Sequence, residues 1–366
     1  MLVEGRRKRS LMAEEILHRE SLQKMLARIG LFPGTLPSST KAPMKMRTLF
    51  ALLLATLSTS ATAGPAIGVR GSIGPDARAK LVDRLIITEP GIYENYIVDG
   101  EWASGNLVKI TADDVVLRNC EIRHGSGNGV GVFGTRILIE NCHIHHLLAG
   151  TFADQRDAHG ISGRWGDLTI RNCEISHPSG DCIQFDPDRA SNGTVRIEHC
   201  TLWTGALLED IAGFKSGQRP GENAVDTKVK PDGPRCQLMI RDCVIHGWNQ
   251  PAPIENAAAL NLKERVDAEV SRCLFHDNEI TFRVRGPGER GGARVTISDC
   301  AVYRSETAVR AEDRIERLLL HRIGYGEGVA TRLKFVGGKA GPEFEDEGGH
   351  DALSMETVLQ QGFSAP

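Results

Sequence analysis

The chain has 366 residues, 40 of them glycine, with only 5% aromatic. That length allows one large domain or two ordinary ones, and a glycine-rich, aromatic-poor composition favours a turn-rich β architecture over a helical one. Its 44 Lys/Arg against 47 Asp/Glu disfavour a nucleic-acid partner, and no run of about 18 apolar residues occurs, so no membrane span is expected.

The first element in chain order reads as a targeting segment. Lys45-Met46-Arg47 is a basic start, Leu49 to Leu57 is apolar, and Ala61-Thr62-Ala63 offers small residues for cleavage before Gly64. This is the secretory signal-peptide pattern. The expectation is a signal peptide at 44–63, behind a miscalled extension at 1–43, and a secreted or periplasmic protein. Residues 1–63 hold 10 basic and 4 acidic residues, so the remainder carries 34 against 43, a net of −9. An anionic substrate would then need a local basic patch.

A repeat follows. VVLRNCEI, ILIENCHI, LTIRNCEI, VRIEHCTL, LMIRDCVI, AEVSRCLF and VTISDCAV recur over residues 115–302, with a degenerate copy, LLLHRIGY, at 318–325. Cys120, Cys142, Cys173, Cys200, Cys243, Cys273 and Cys300 mark equivalent positions. The alternation is period two, so in one copy Val195 and Ile197 point inward while Arg196 and Glu198 point outward. Short strands at such spacing imply stacked repeats around one continuous core. Residues 64–326 form this single domain, with opening turns at 85–110, and residues 327–366 form a C-terminal cap or tail.

Each repeat has a second strand: GVGVFG, GISGRW, CIQFDP, AVDTKV, ALNLKE, TFRVRG and AVRAED. Their first outward column is Gly131, Ser162, Gln184, Asp226, Asn261, Arg283, Arg310. The second is Phe133, Arg164, Asp186, Lys228, Lys263, Arg285, Glu312. Rungs about 4.8 Å apart would bring these onto one wall. Breaking a uronate chain by β-elimination requires neutralising a carboxylate, removing the adjacent proton and stabilising a leaving oxygen. Lys228 or Lys263 is the expected base, with Arg283 and Arg285 as carboxylate clamps. His159, Arg164, Gln184, Asn261 and Arg310 are expected to bind substrate. Asp186, Glu222 and Asp226 supply oxygen ligands of the kind Ca²⁺ takes. The bland alternative is a ladder of solvated ion pairs.

The xIxNCxI repeat and the GIxx second strands resemble the right-handed parallel β-helix proteins of the pectate lyase-like superfamily, over about residues 85–325. The resemblance implies an all-β solenoid. It also implies a polysaccharide lyase acting on an acidic polysaccharide, often with Ca²⁺, and here a monomer. In one alginate and chondroitin lyase family a Lys and an Arg stand one rung apart, as Lys263 and Arg285 would. Three rivals stay open. SGDCIQFDPD and His159-Gly160 resemble parts of the polygalacturonase pattern in reversed order, with a glycoside hydrolase served by Asp181, Asp186, Asp188 and Asp226. Phe185-Asp186-Pro187-Asp188 resembles a uronate C5-epimerase motif, with Asp188 in place of the His. A non-catalytic carbohydrate-binding protein would show more aromatic platforms than Trp102, Trp165, Trp203 and Trp248.

Seven cysteines at one repeat position read as a buried ladder of free thiols, with Cys182 and Cys236 apart from it. His124, His146, His177, His246 and His276 follow the cysteines and read as repeated turn residues rather than a metal column.

Overall fold

In the computed structural model, residues 66–164, 166–185, 193–229, 233–249, 254–286, 291–337 and 343–363 are described. The targeting segment, Trp165, Asp186 and Asp188 lie outside them. No helix among the described residues is long and apolar enough to cross a membrane.

Each repeat folds as one coil of a parallel β-helix. The strand before the cysteine joins a ten-stranded parallel sheet, in which Val195 and Ile197 register with Leu168 and Ile170 on one side and Leu238 and Ile240 on the other. All of these side chains are buried. The strands after the cysteine and the second strands form two further parallel faces. These faces run together where Leu274–Val284 and Ala301–Glu312 pass unbroken through both.

The residue before each cysteine turns the corner in the left-handed region: Asn119, Asn141, Asn172, Asp242 and Asp299 all have φ between 52° and 57°. Asn and Asp tolerate that conformation better than most residues. The column also bonds along the stack, with Asn141 Nδ2 donating to Asn119 Oδ1 at 3.2 Å and Asn172 Nδ2 to Asn141 Oδ1 at 2.8 Å. In later coils Arg272 and Arg322 take the corner and donate to Asp242 and Asp299.

The cysteines are free and buried. They behave as small apolar residues in the core, each ladder thiol from Cys142 to Cys300 also facing backbone carbonyls. Burying each Ile of this core contributes roughly 1.5–3 kcal/mol.

Residues 331–351 add three more strands in register with the coil before them. The helix Met355–Gln361 is capped by Ser354, whose side chain accepts from Thr357 N–H. It buries Val358 with Ile67, Val244, Leu274, Ala301 and Tyr303, so the chain end lies against the outside of the post-cysteine strands.

Candidate active site on the charged wall

The first outward column stacks in the expected register. Gly131 pairs with Ser162, Ser162 with Gln184, Gln184 with Asp226, Asp226 with Asn261, Asn261 with Arg283, and Arg283 with Arg310. Lys334 continues it one rung further.

Two carboxylates organise the wall. Asp226 is 6% exposed, and Lys263 Nζ lies 2.9 Å from its Oδ1 while Lys228 Nζ lies 3.8 Å from its Oδ2. Buried Thr227 fastens the two lysine-bearing strands. Its hydroxyl accepts from Lys263 N–H at 2.8 Å and faces the Lys263 carbonyl at 3.0 Å. Lys228 is the more accessible ammonium, its side chain 30% exposed against 14% for Lys263.

Glu312 is the second centre. Arg283 Nε and Arg285 Nε each lie 2.8 Å from one of its oxygens, and Arg310 Nε lies 3.1 Å from Oε1. Burial pushes the Glu312 carboxyl up, but Arg283 and Arg285 pull it below its ordinary range. Burial, helped by Arg285 and Arg310, lowers Arg283 from its usual value. Asn256 braces the group from a loop, its carbonyl accepting from Arg283 Nη1 at 3.4 Å and its side chain accepting from Arg310. Five cations thus gather around Asp226 and Glu312, with Glu222 beside the two lysines.

Beside the lysines lies a buried polar network. Asp181 is fully buried, and its Oδ1 accepts from Asn223 Nδ2 at 2.9 Å. Burial pushes Asp181 well up, and Asp226 and Glu222 add to the shift. Glu222 is also raised, by burial and then by Asp226 and Asp157. His159 is 4% exposed, and its Nδ1 accepts the Asp181 N–H at 2.9 Å. Burial brings it down to about 4, so a neutral ring carries its proton on Nε2, the atom 3.8 Å from Asp157.

The wall therefore gathers Lys228, Lys263, Asp226, Asn261, Arg283, Arg285 and Arg310. His159 stands behind it, in the buried network. Gln184 is in register but 9% exposed, and Arg164 is exposed two coils before Lys228. Column position alone gives Glu312 no role, although it ends the second column as one of that column's two acidic members, with Asp186. Asn256 sits outside the repeat pattern, and Asn223 opens the second strand Asn223–Asp226 one residue before the aligned segment.

Of the residues expected to hold calcium, Asp186 lies outside the described residues, and Glu222 and Asp226 lie near the lysines. Both Asp226 oxygens face ammonium groups, which oppose a dication. Among the described residues, three donors close enough to share an ion occur at Glu121, His143 and His145 and at His321, Glu345 and Glu347, groups that contain neither Glu222 nor Asp226.

On the post-cysteine face the histidines form a stack. His146 lies over His177 at 4.8 Å and 16°, Trp203 over His246 at 5.7 Å and 8°, and His246 over His276 at 4.3 Å and 11°.

Comparison with known proteins agrees with this architecture. Residues 91–214 match the family model described as "Right handed beta helix region". No curated protein matches the chain. Among solved structures, pectate lyase Pel9A is 14% identical, covering 88% of this chain and 80% of that one, with a TM-score of 0.45. An alginate lyase from Paenibacillus sp. str. FPU-7 is 12% identical over 73% of this chain and 91% of that one, TM-score 0.39. The tailspike protein gp49 from Pseudomonas phage LKA1 is 13% identical over 73% and 49%, TM-score 0.38. Taken with the rung-by-rung register, the family match describes a right-handed parallel β-helix.

Proposed function

We propose that the charged wall binds an acidic, uronate-containing polysaccharide and cleaves it by β-elimination. The observation that carries this reading is the excess of cations. Among the described residues, Lys228, Lys263, Arg283, Arg285 and Arg310 gather around Asp226 and Glu312, with Glu222 also near the two lysines. Like charges stacked on neighbouring rungs repel, so the cluster costs stability unless an anion completes it.

In the proposed reaction the uronate carboxylate docks on the guanidinium group around Glu312. Arginine suits that contact because its planar fork matches a carboxylate. Delocalising the carboxylate charge there acidifies the neighbouring C–H. Lys228, the more exposed lysine, first releases its ammonium proton to solvent and, as the neutral amine, takes the C–H proton as general base. The electron pair forms the new C=C bond and expels the glycosidic oxygen from the β carbon. Lys263, held against Asp226, donates a proton to the departing oxygen. The group runs over four successive rungs about 4.8 Å apart, so more than one sugar unit lies along it. No step uses calcium.

Hydrolysis by an aspartate pair has less support. Asp181 is fully buried behind the wall, where it cannot reach a glycosidic oxygen of a chain lying on the surface. Secretion accords with a polymer substrate, and it is part of the proposal.

The test is incubation with pectate, alginate, glucuronan and chondroitin, with and without Ca²⁺, followed by the ultraviolet absorbance of unsaturated uronate. A rise with one polymer in the absence of Ca²⁺ supports the reading. New reducing ends without absorbance would replace it with hydrolysis, and neither signal would leave an epimerase or a binding protein.

A further inference from the structure

The post-cysteine face carries a donor group that the proposed elimination does not use. The strand His143–Leu147 places His143 and His145 two residues apart, on the same side. The rung before it sets Glu121 in register with His143. One donor atom from each of Glu121, His143 and His145 lies within 4.8 Å of the other two. His145 Nε2 is already 3.2 Å from Glu121 Oε1. We infer that these three side chains bind a divalent transition-metal ion of the zinc class, joining two adjacent rungs and leaving a fourth position open.

Donor chemistry selects the ion. Two imidazoles and one carboxylate suit zinc and its neighbours, whereas calcium and magnesium take oxygen ligands. Donors bound tetrahedrally at about 2.0–2.1 Å sit about 3.4 Å apart, so the Glu121–His145 pair is at binding distance and His143 has little further to move.

The surroundings fit the same ion. His145 Nδ1 lies 2.7 Å from His146 Nδ1, and only one proton fits between them. When His145 supplies that proton, its Nε2 presents a lone pair toward Glu121, which is how a neighbouring acceptor fixes the tautomer of a ligand histidine. The His146 ring is itself held, stacked on His177.

Local charge also favours a dication. Glu174 Oε1 stands 3.9 Å from His143 Nε2 and accepts from Trp203 Nε1. The opposing cation is Arg123, which lies 2.6 Å from Glu121 and 2.9 Å from Asp99. An ion on Glu121 leaves Arg123 its pair with Asp99.

The test is titration of the metal-free full chain with Co²⁺, reading its visible absorption, followed by competition with Zn²⁺. The expected result is one Co²⁺ per chain with a four-coordinate spectrum, displaced by Zn²⁺. A Glu121→Gln, His143→Gln double variant should lose that spectrum. His146→Asn keeps a residue that tolerates the φ of 54° at that position and should weaken binding by about 10–100-fold, the usual effect of removing a ligand's hydrogen-bond partner. His321→Gln, which breaks the other three-donor group, should change nothing. If the double variant fails to fold, His143→Gln alone serves, because that side chain is 34% exposed. Absence of saturable Co²⁺ binding, or unchanged binding in the Glu121/His143 variants, would overturn the inference.

Discussion

The wall of second strands and the face of post-cysteine strands are built by the same coils at the same spacing, yet they solve stacking differently. On the post-cysteine face the repeated side chains are rings, and burial holds His146 and His177 to about 4 and His246 to about 3. Neutral rings gain from lying over one another. On the wall the repeated side chains are lysine and arginine, which lose by it. Their charge is divided by Asp226 and Glu312 and is not cancelled. A solenoid amplifies whatever its repeat presents, so the self-repelling ladder is the one that points to a ligand.

Breaking that comparison begins at Glu312. Glu312→Gln leaves Arg283, Arg285 and Arg310 facing each other, and removing one partner of a mostly buried ionic group costs about 3 kcal/mol. Urea unfolding should show that loss. Added polyuronate should restore part of it, because a ligand that binds the folded state stabilises it. Asp226→Asn, which frees only two lysines, should cost less, about 2 kcal/mol, with the same partial rescue.

Acidification acts on both regions. His146, His177 and His159 have folded values near 4, below the ordinary histidine value of 6.5. The unfolded chain therefore binds more protons than the folded one between those limits. Stability from the histidines is full above about pH 6.5 and falls as pH drops toward 4, with Asp181 and Glu222, shifted upward, opposing the fall. The melting temperature should drop on the order of 5 °C across that window. The smallest effect belongs to a single ring. His246→Ala removes the stack between Trp203 and His276 and should cost about 1 kcal/mol, while His246→Phe, which keeps the stack, should cost less than about 0.5 kcal/mol.

Sequence discloses the coil because two constraints repeat together: inward apolar residues with period two, and a corner residue before a small buried cysteine. Those constraints by themselves place Asp226, Asn261, Arg283 and Arg310 in one column. They do not say how side chains reach between columns. Glu312 collects guanidiniums from its own rung and the one before it, and Lys228 and Lys263 share Asp226 across two strands, because long side chains bend toward charge rather than toward their own register. The grouping of Glu121, His143 and His145 is hidden for the same reason. Its members come from two coils, and in the sequence they look like surface residues of ordinary strands. Asn256 lies in a segment with no periodicity to align.

The central claim is that the lysine pair on Asp226 does the chemistry. The direct measurement is the rate of unsaturated-uronate formation by Lys228→Met and Lys263→Met beside the unaltered chain, on whichever polyuronate that chain cleaves, with circular dichroism confirming the fold of each. The account predicts that Lys228→Met lowers the rate by at least about 100-fold, the lower range for a general base, and that Lys263→Met lowers it less. Full activity in both folded variants would contradict it.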